Sequence, residues 1–186
     1  AIQRNELSIF FQPIIDLDTG RIKAFEALVR WFHPEKGELR PDEFIPVAEE
    51  TDLIVPIGEW VLRTALEQRA QWAEELPGLP VIGLSVNVSA RQMARPGLVE
   101  AVRTNLDATG LAPEVLLLEL TESALMADDE VVRAQIKGLR DLGNEMFAYL
   151  KEFGPGDLLN RAYETLPVAE ITPREAYQRI VTDEVE

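Results

Sequence analysis

Three polar side chains stand inside segments that are otherwise apolar. Glu26 lies within Ala24-Phe25-Glu26-Ala27-Leu28, Asn87 within Ser85-Val86-Asn87-Val88-Ser89, and Glu119 within Leu116-Leu117-Leu118-Glu119-Leu120. An ionised carboxylate in such surroundings is costly unless it is paired or coordinates a cation. Two carboxylates and one amide oxygen make about half of the oxygen shell that Mg²⁺ or Mn²⁺ requires. Each could equally be a lone buried polar group satisfied by backbone, and spacing alone leaves both readings open. The absence of cysteine and the single His33 exclude thiolate and multi-histidine metal sites. What remains is a carboxylate and amide site for a hard cation: Mg²⁺, Mn²⁺ or Ca²⁺. His33, followed by Pro34-Glu35-Lys36-Gly37, reads as a turn residue.

Positioning these groups falls to a regular alternation of elements. Leu7 to Ile15 and Arg21 to Phe32 are rich in β-branched and aromatic residues and are joined by the turn residues Asp16-Leu17-Asp18-Thr19-Gly20, which predicts an opening hairpin. Asp42 is expected to cap a short helix reaching about Thr51. A longer helix is predicted from near Pro56 to Leu76, where Trp60, Val61, Ala65, Trp72 and Leu76 recur near helical spacing and Pro77-Gly78-Leu79-Pro80 stops the run. Val81 to Val88 reads as a strand. Leu98, Val102 and Leu106 mark a helix that Gly110 ends. Val115 to Leu120 reads as a strand buried on both faces. Val132, Ile136, Leu139 and Leu142 mark a last clear helix, closed by Gly143. Strand-helix alternation after a hairpin predicts a parallel α/β architecture, barrel or doubly wound sheet, with the three polar groups converging at one end.

Composition narrows the functional classes. The 186 residues suit one domain, and 46% hydrophobic with 27% charged residues is ordinary for a globular chain. The net charge of −15 repels polyanions and argues against nucleic acid as a partner. No run is long and apolar enough to span a membrane, and the first residues carry no signal-peptide pattern. Cytoplasmic residence is the expectation, and the abrupt start resembles that of an excised domain.

The order of several motifs carries a resemblance. Phe11-Gln12-Pro13-Ile14-Ile15, Phe25-Glu26-Ala27-Leu28-Val29-Arg30-Trp31 and His33-Pro34 are similar to the opening of EAL domains. Phe44-Ile45-Pro46-Val47-Ala48-Glu49, Ile57-Gly58-Glu59-Trp60-Val61-Leu62, Val86-Asn87-Val88-Ser89 and Leu118-Glu119-Leu120-Thr121-Glu122-Ser123 follow in the family's order. The resemblance runs without a large gap from residue 7 to 143. It implies a modified TIM barrel whose first strand runs antiparallel. It also implies hydrolysis of cyclic di-GMP to linear pGpG with two Mg²⁺ or Mn²⁺ ions. Carried over motif by motif, it makes Glu26, Asn87 and Glu119 metal ligands, and Arg30 a contact to a ligand phosphate. Glu122 would hold the loop near the metals, and Gln12 and Leu28 would line the pocket.

Beyond residue 143 the resemblance weakens. The family carries paired aspartates, which bridge its two metals, before Phe-Gly-Thr-Gly. Here Lys151-Glu152 precede Phe153-Gly154-Pro155-Gly156, and the spacing from Gly143 is about two residues longer. Lys151 puts a cation where a ligand belongs, and Glu152 keeps a carboxylate on a longer stem. After Leu166-Pro167-Val168-Ala169-Glu170-Ile171 the family's Lys-Ile-Asp is replaced by Thr172-Pro173-Arg174, and Pro173 suits a central strand poorly. The family's later catalytic Glu and last strands have no counterpart. Segments 157–165 and 174–181 are amphipathic enough to be helices that cover an open edge.

These features predict a single EAL-like domain over 1–186, family-like over 1–143 and divergent and shortened over 144–186, with the barrel incomplete or unclosed on its C-terminal side. One weakly held Mg²⁺ or Mn²⁺ ion is expected. The expected function is a degenerate signalling domain that binds cyclic di-GMP or a protein partner with little or no hydrolysis. The alternatives are an active phosphodiesterase using Glu26, Glu119, Glu122 and Glu152, and a ligand-free interaction or dimerisation module. A second copy or a neighbouring signalling domain is the expected protein partner.

Overall fold

The computed structural model describes residues 1–16, 19–76, 81–120 and 129–143. Lys151, Glu152, Glu122, the 172–174 tripeptide and the two C-terminal helices expected above lie outside the described residues.

The opening hairpin forms as the residue types dictate. Strand β1 (Leu7–Ile15) pairs antiparallel with β2 (Ile22–His33), in a register that sets Gln12 opposite Glu26. After β2 the chain turns at Pro34-Glu35-Lys36 and returns as a short strand, β3 (Gly37–Leu39), against the end of β2. Three residues carry no periodicity, so β3 leaves no trace in the sequence. Gly37 takes a φ of 75°, and the His33 ring nitrogen Nδ1 accepts the backbone N–H groups of Glu35 and Lys36 at 3.2 and 3.3 Å, so His33 is the last residue of β2 and its side chain braces the turn.

Helix α1 (Pro41–Glu50) starts one residue before the expected cap. Glu43 accepts the Arg40 N–H at 2.9 Å, while Asp42 lies inside the first turn, where its charge favours the helix N-terminus. Helix α2 (Ile54–Glu75) begins earlier than Pro56, which sits in the first turn and sacrifices no intrahelical bond. Its buried positions, Ile54, Gly58, Val61, Leu62, Ala65, Leu66, Arg69 and Trp72, follow the helical repeat and face the sheet. Arg69 donates to the Ile82 carbonyl at 2.8 Å, and Trp72 meets Phe11 and Phe25 edge-on at 4.7 and 5.4 Å.

Strand β4 (Gly83–Val88) runs parallel to β2, and β5 (Leu116–Leu120) parallel to β4. Between them come a single turn of helix, α3 (Ala90–Met93), capped by Ser89, and α4 (Leu98–Thr109), which Gly110 ends with a φ of 66°. The turn Pro113–Val115 precedes β5, so the strand starts one residue later than expected. Helix α5 (Glu130–Leu142) is capped by Asp129, which accepts from Val131 at 2.6 Å. The buried Gln135 ties α5 to the connection between α3 and α4. Its amide donates to the carbonyls of Met93 and Arg95, and its oxygen accepts from the Val99 N–H.

The described sheet has the order β1-β2-β4-β5, with β3 on β2. It is mixed α/β with its first strand antiparallel, and β1 and β5 stand at its two edges without meeting each other among the described residues. Odd-numbered residues of β2 and even-numbered residues of β4 and β5 enter the core beneath α2 and α4: Ala27, Leu84, Val86, Val88, Leu116 and Leu118. Strand β5 is therefore buried on one face only. Leu117 and Glu119 on the other are half-buried, because no described helix covers that side.

Candidate metal and phosphate site

The period of two along a strand sends the remaining side chains to the opposite face. Registers align Gln12 with Glu26, Glu26 with Ser85, Ser85 with Leu117, and Asn87 with Glu119. Gln12, Glu26, Ser85, Asn87 and Glu119 thus form a polar stripe across four strands. It lies toward the carboxyl ends of the three parallel strands, where α/β barrels place ligands.

Strand β4 supplies a donor to each carboxylate. Asn87 Nδ2 donates to Glu26 Oε1 at 2.7 Å, and Ser85 Oγ donates to Glu119 Oε1 at 2.5 Å. Glu26 is only 8% exposed. Burial pushes its carboxyl above the usual range; the Asn87 hydrogen bond opposes this, the Glu119 charge adds to it, and Arg30 opposes it. A carboxylate held in this way has an unmet demand for positive charge. The available donors are oxygens: two carboxylates and, on rotation of its amide, Asn87 Oδ1. This set fits a hard divalent cation and fills only part of its shell. Among the described residues no group of three carboxylate, histidine or cysteine side chains could hold a metal, so the amide is needed to complete the protein's share.

Arg30 stands farther along the same face of β2. Its Nη1 donates to the Val29 carbonyl at 3.0 Å, its Nε lies 3.6 Å from Glu38, and the guanidinium sits 5.7 Å from the centre of the Phe10 ring. Leu28, between Glu26 and Arg30, lines a groove of about 440 Å³ together with its neighbours Ala27 and Val29, with Asn87 to Ser89, and with the length of α1 and the first turns of α2. Gln12 is half-buried beside Glu26. The structure thus gathers Gln12, Glu26, Leu28, Arg30, Asn87 and Glu119 on one face. Sequence reasoning passed over Ser85. Its signal was present: a hydroxyl two residues before Asn87, hence on the same face of an apolar strand.

Comparison with known proteins bears on this arrangement. The sequence profile described as EAL domain matches residues 1–182. An uncharacterised protein of Sinorhizobium fredii is 41% identical over 156 residues, which are 84% of this chain and 18% of that protein. A bifunctional diguanylate cyclase/cyclic di-GMP phosphodiesterase of Pseudomonas aeruginosa, MucR, is 37% identical over 171 residues, 92% of this chain and 24% of that protein. The chain therefore spans about a quarter or less of these relatives' length. Among solved structures, the PaMucR phosphodiesterase in complex with c-di-GMP superposes with a TM-score of 0.71 at 39% identity, covering 77% of this chain and 57% of that one. The EAL domain of Mycobacterium smegmatis DcpA gives a TM-score of 0.55 at 34% identity, covering 74% and 52%. No described helix is long and apolar enough to cross a membrane.

Proposed function

The chain belongs to the EAL domain family, and on that premise we propose that it is a cyclic di-GMP signalling module that binds its ligand with little or no hydrolysis. Residues 1–186 act in this reading as one domain. The observation that carries the binding half is the cross-strand pairing of Asn87 with Glu26 at 2.7 Å, with Glu119 on the same face and Arg30 beyond it. Glu26, Asn87 and Glu119 hold one Mg²⁺ or Mn²⁺ ion, Arg30 meets a phosphate, and Gln12 and Leu28 border the ligand. The bound ion would supply positive charge to phosphodiester oxygens and lower the pKa of a coordinated water. Arg30 orients the phosphate, and β4 fixes the carboxylates through its two donors.

The hydrolytic half rests on sequence. Lys151 and Glu152 stand where the family has the paired aspartates that bridge two metals. A lysine there repels an incoming cation by roughly 4 kcal/mol per unit charge at 4 Å and an effective dielectric of 20. The second reading is an active phosphodiesterase in which Glu122 and Glu152 complete the site. It is supported by the 37% identity to the Pseudomonas phosphodiesterases over 92% of this chain. A ligand-free module that pairs with a second copy or a neighbouring signalling domain is the remaining reading.

Calorimetry with cyclic di-GMP, with and without Mn²⁺, together with chromatography of pGpG, separates the three. Binding without turnover is the expected result. Turnover that disappears in Glu26→Ala would establish the active enzyme instead, and no binding under either condition would leave the interaction module.

A further inference from the structure

Ser85 is fully buried, at 0% exposure, on the face that carries Glu26, Asn87 and Glu119. Its hydroxyl donates to Glu119 Oε1 at 2.5 Å. Hydroxyl-to-carboxylate bonds of 2.5–2.7 Å are charge-assisted and about twice as strong as neutral ones. A serine carries one hydroxyl proton, and here it is committed to Glu119.

From this geometry we infer that Ser85 is a positioning residue for the metal site, fixing one oxygen of Glu119 so that the other faces a divalent cation. The inference rests on the reading of Glu26, Asn87 and Glu119 as ligands. Glu119 is half-buried near the end of β5, and among the described residues no other hydrogen bond or ion pair restrains its carboxylate. Without the Ser85 bond its outer torsions rotate freely, and a cation that binds must then order them. Outer-shell partners of metal ligands typically contribute 10- to 100-fold in affinity.

The test is Mn²⁺ affinity of the full chain, read by electron paramagnetic resonance, alongside melting temperature in chelator. Ser85→Ala is expected to bind Mn²⁺ about 10- to 100-fold more weakly, while its melting temperature in chelator stays close to the parent's. Ser85→Thr, which keeps the hydroxyl, is expected to restore affinity to within a few-fold; should the alanine variant fail to fold, Ser85→Cys, with its weaker donor, is compared with Ser85→Thr and is expected to be the weaker binder. Unchanged Mn²⁺ affinity in Ser85→Ala, or in Ser85→Cys where that comparison stands in, overturns the inference while leaving the metal site intact. Failure of the parent chain itself to bind Mn²⁺, with Glu26→Gln indistinguishable from it, overturns the metal-site reading and the inference with it.

Discussion

Strand β4 has two faces that differ in everything except their backbone. Leu84, Val86 and Val88 point beneath α2 and α4 and are 0, 2 and 3% exposed. Ser85 and Asn87, each one residue away, point to the other side and hold carboxylates of the two neighbouring strands. The apolar face gains stability in proportion to the area it removes from water. The polar face does the reverse: it keeps Glu26 buried near a like charge, an arrangement that favours a cation at the expense of the empty fold. Folding free energy and ligand chemistry are thus separated by the pleat of one strand.

The separation is tested most severely by Leu84→Ala. Leu84 is fully buried, so its truncation is expected to cost about 2–5 kcal/mol in denaturant unfolding. Mn²⁺ affinity measured on the folded fraction should stay at the parental value. A loss of affinity in the folded fraction would mean that the two faces are coupled through the strand backbone and would break the comparison.

Gly58→Ala acts on the helical side by a smaller amount. A Cβ at Gly58 would fall 2.0 Å from Nε2 of Gln92, whose side chain is buried and whose oxygen accepts from the Ser89 N–H. Either α2 shifts or Gln92 abandons the cap of α3, an overpacking expected to cost about 1–3 kcal/mol. Thermal melting of Gly58→Ala beside Gly58→Ser checks it, the serine being expected to be at least as damaging.

The helical side was largely legible in the sequence, because period and capping are local signals. Trp60 through Trp72 mark α2, and Gly110 marks the end of α4, by local pattern alone. The short pieces β3 and α3 were not legible, since three or four residues show no period and depend on partners distant in the chain. The same holds for the polar side. Glu26, Asn87 and Glu119 stood out as polar groups in apolar runs, but their convergence depends on a register that joins residues 61 and 34 positions apart through the Asn87–Glu26 and Ser85–Glu119 bonds. Ser85 escaped notice because a serine in a strand is unremarkable until its partner is identified.

Glu26→Gln sharpens the contrast by reversing sign with conditions. Because burial raises the folded-state pKa of Glu26 above 4.5, the folded chain binds its proton more tightly than the unfolded chain. The stability this contributes is fully present below the unfolded value and is lost as pH rises through the folded one. In chelator at neutral pH, Glu26→Gln should therefore melt higher than the parent, with the difference vanishing as pH falls below 4.5. In Mn²⁺ the order should invert, since only the parent gains the stabilisation of a bound ion. Identical melting in chelator across this range would show that Glu26 is not under strain from burial.

The smallest effect is expected at the rim of the polar face. Arg30, 14% exposed at its side chain, shares its charge with Glu38, which is 49% exposed. In a chain of net charge −15, an anionic ligand approaching Arg30 must compete with that carboxylate. Partly exposed ion pairs contribute about 0.2–1 kcal/mol. Glu38→Gln is therefore expected to raise cyclic di-GMP affinity by at most about fivefold. The gain should shrink as ionic strength rises, since salt screens exposed charges. Repeating the substitution in an Arg30→Ala background isolates the route. If Glu38 acts through Arg30 the gain disappears there, whereas a gain that persists would assign Glu38 only to the general acidic field. A loss of affinity in Glu38→Gln alone would mean that Glu38 holds the guanidinium in its binding orientation, making it part of the site's support and moving the boundary between the two faces outward to β3.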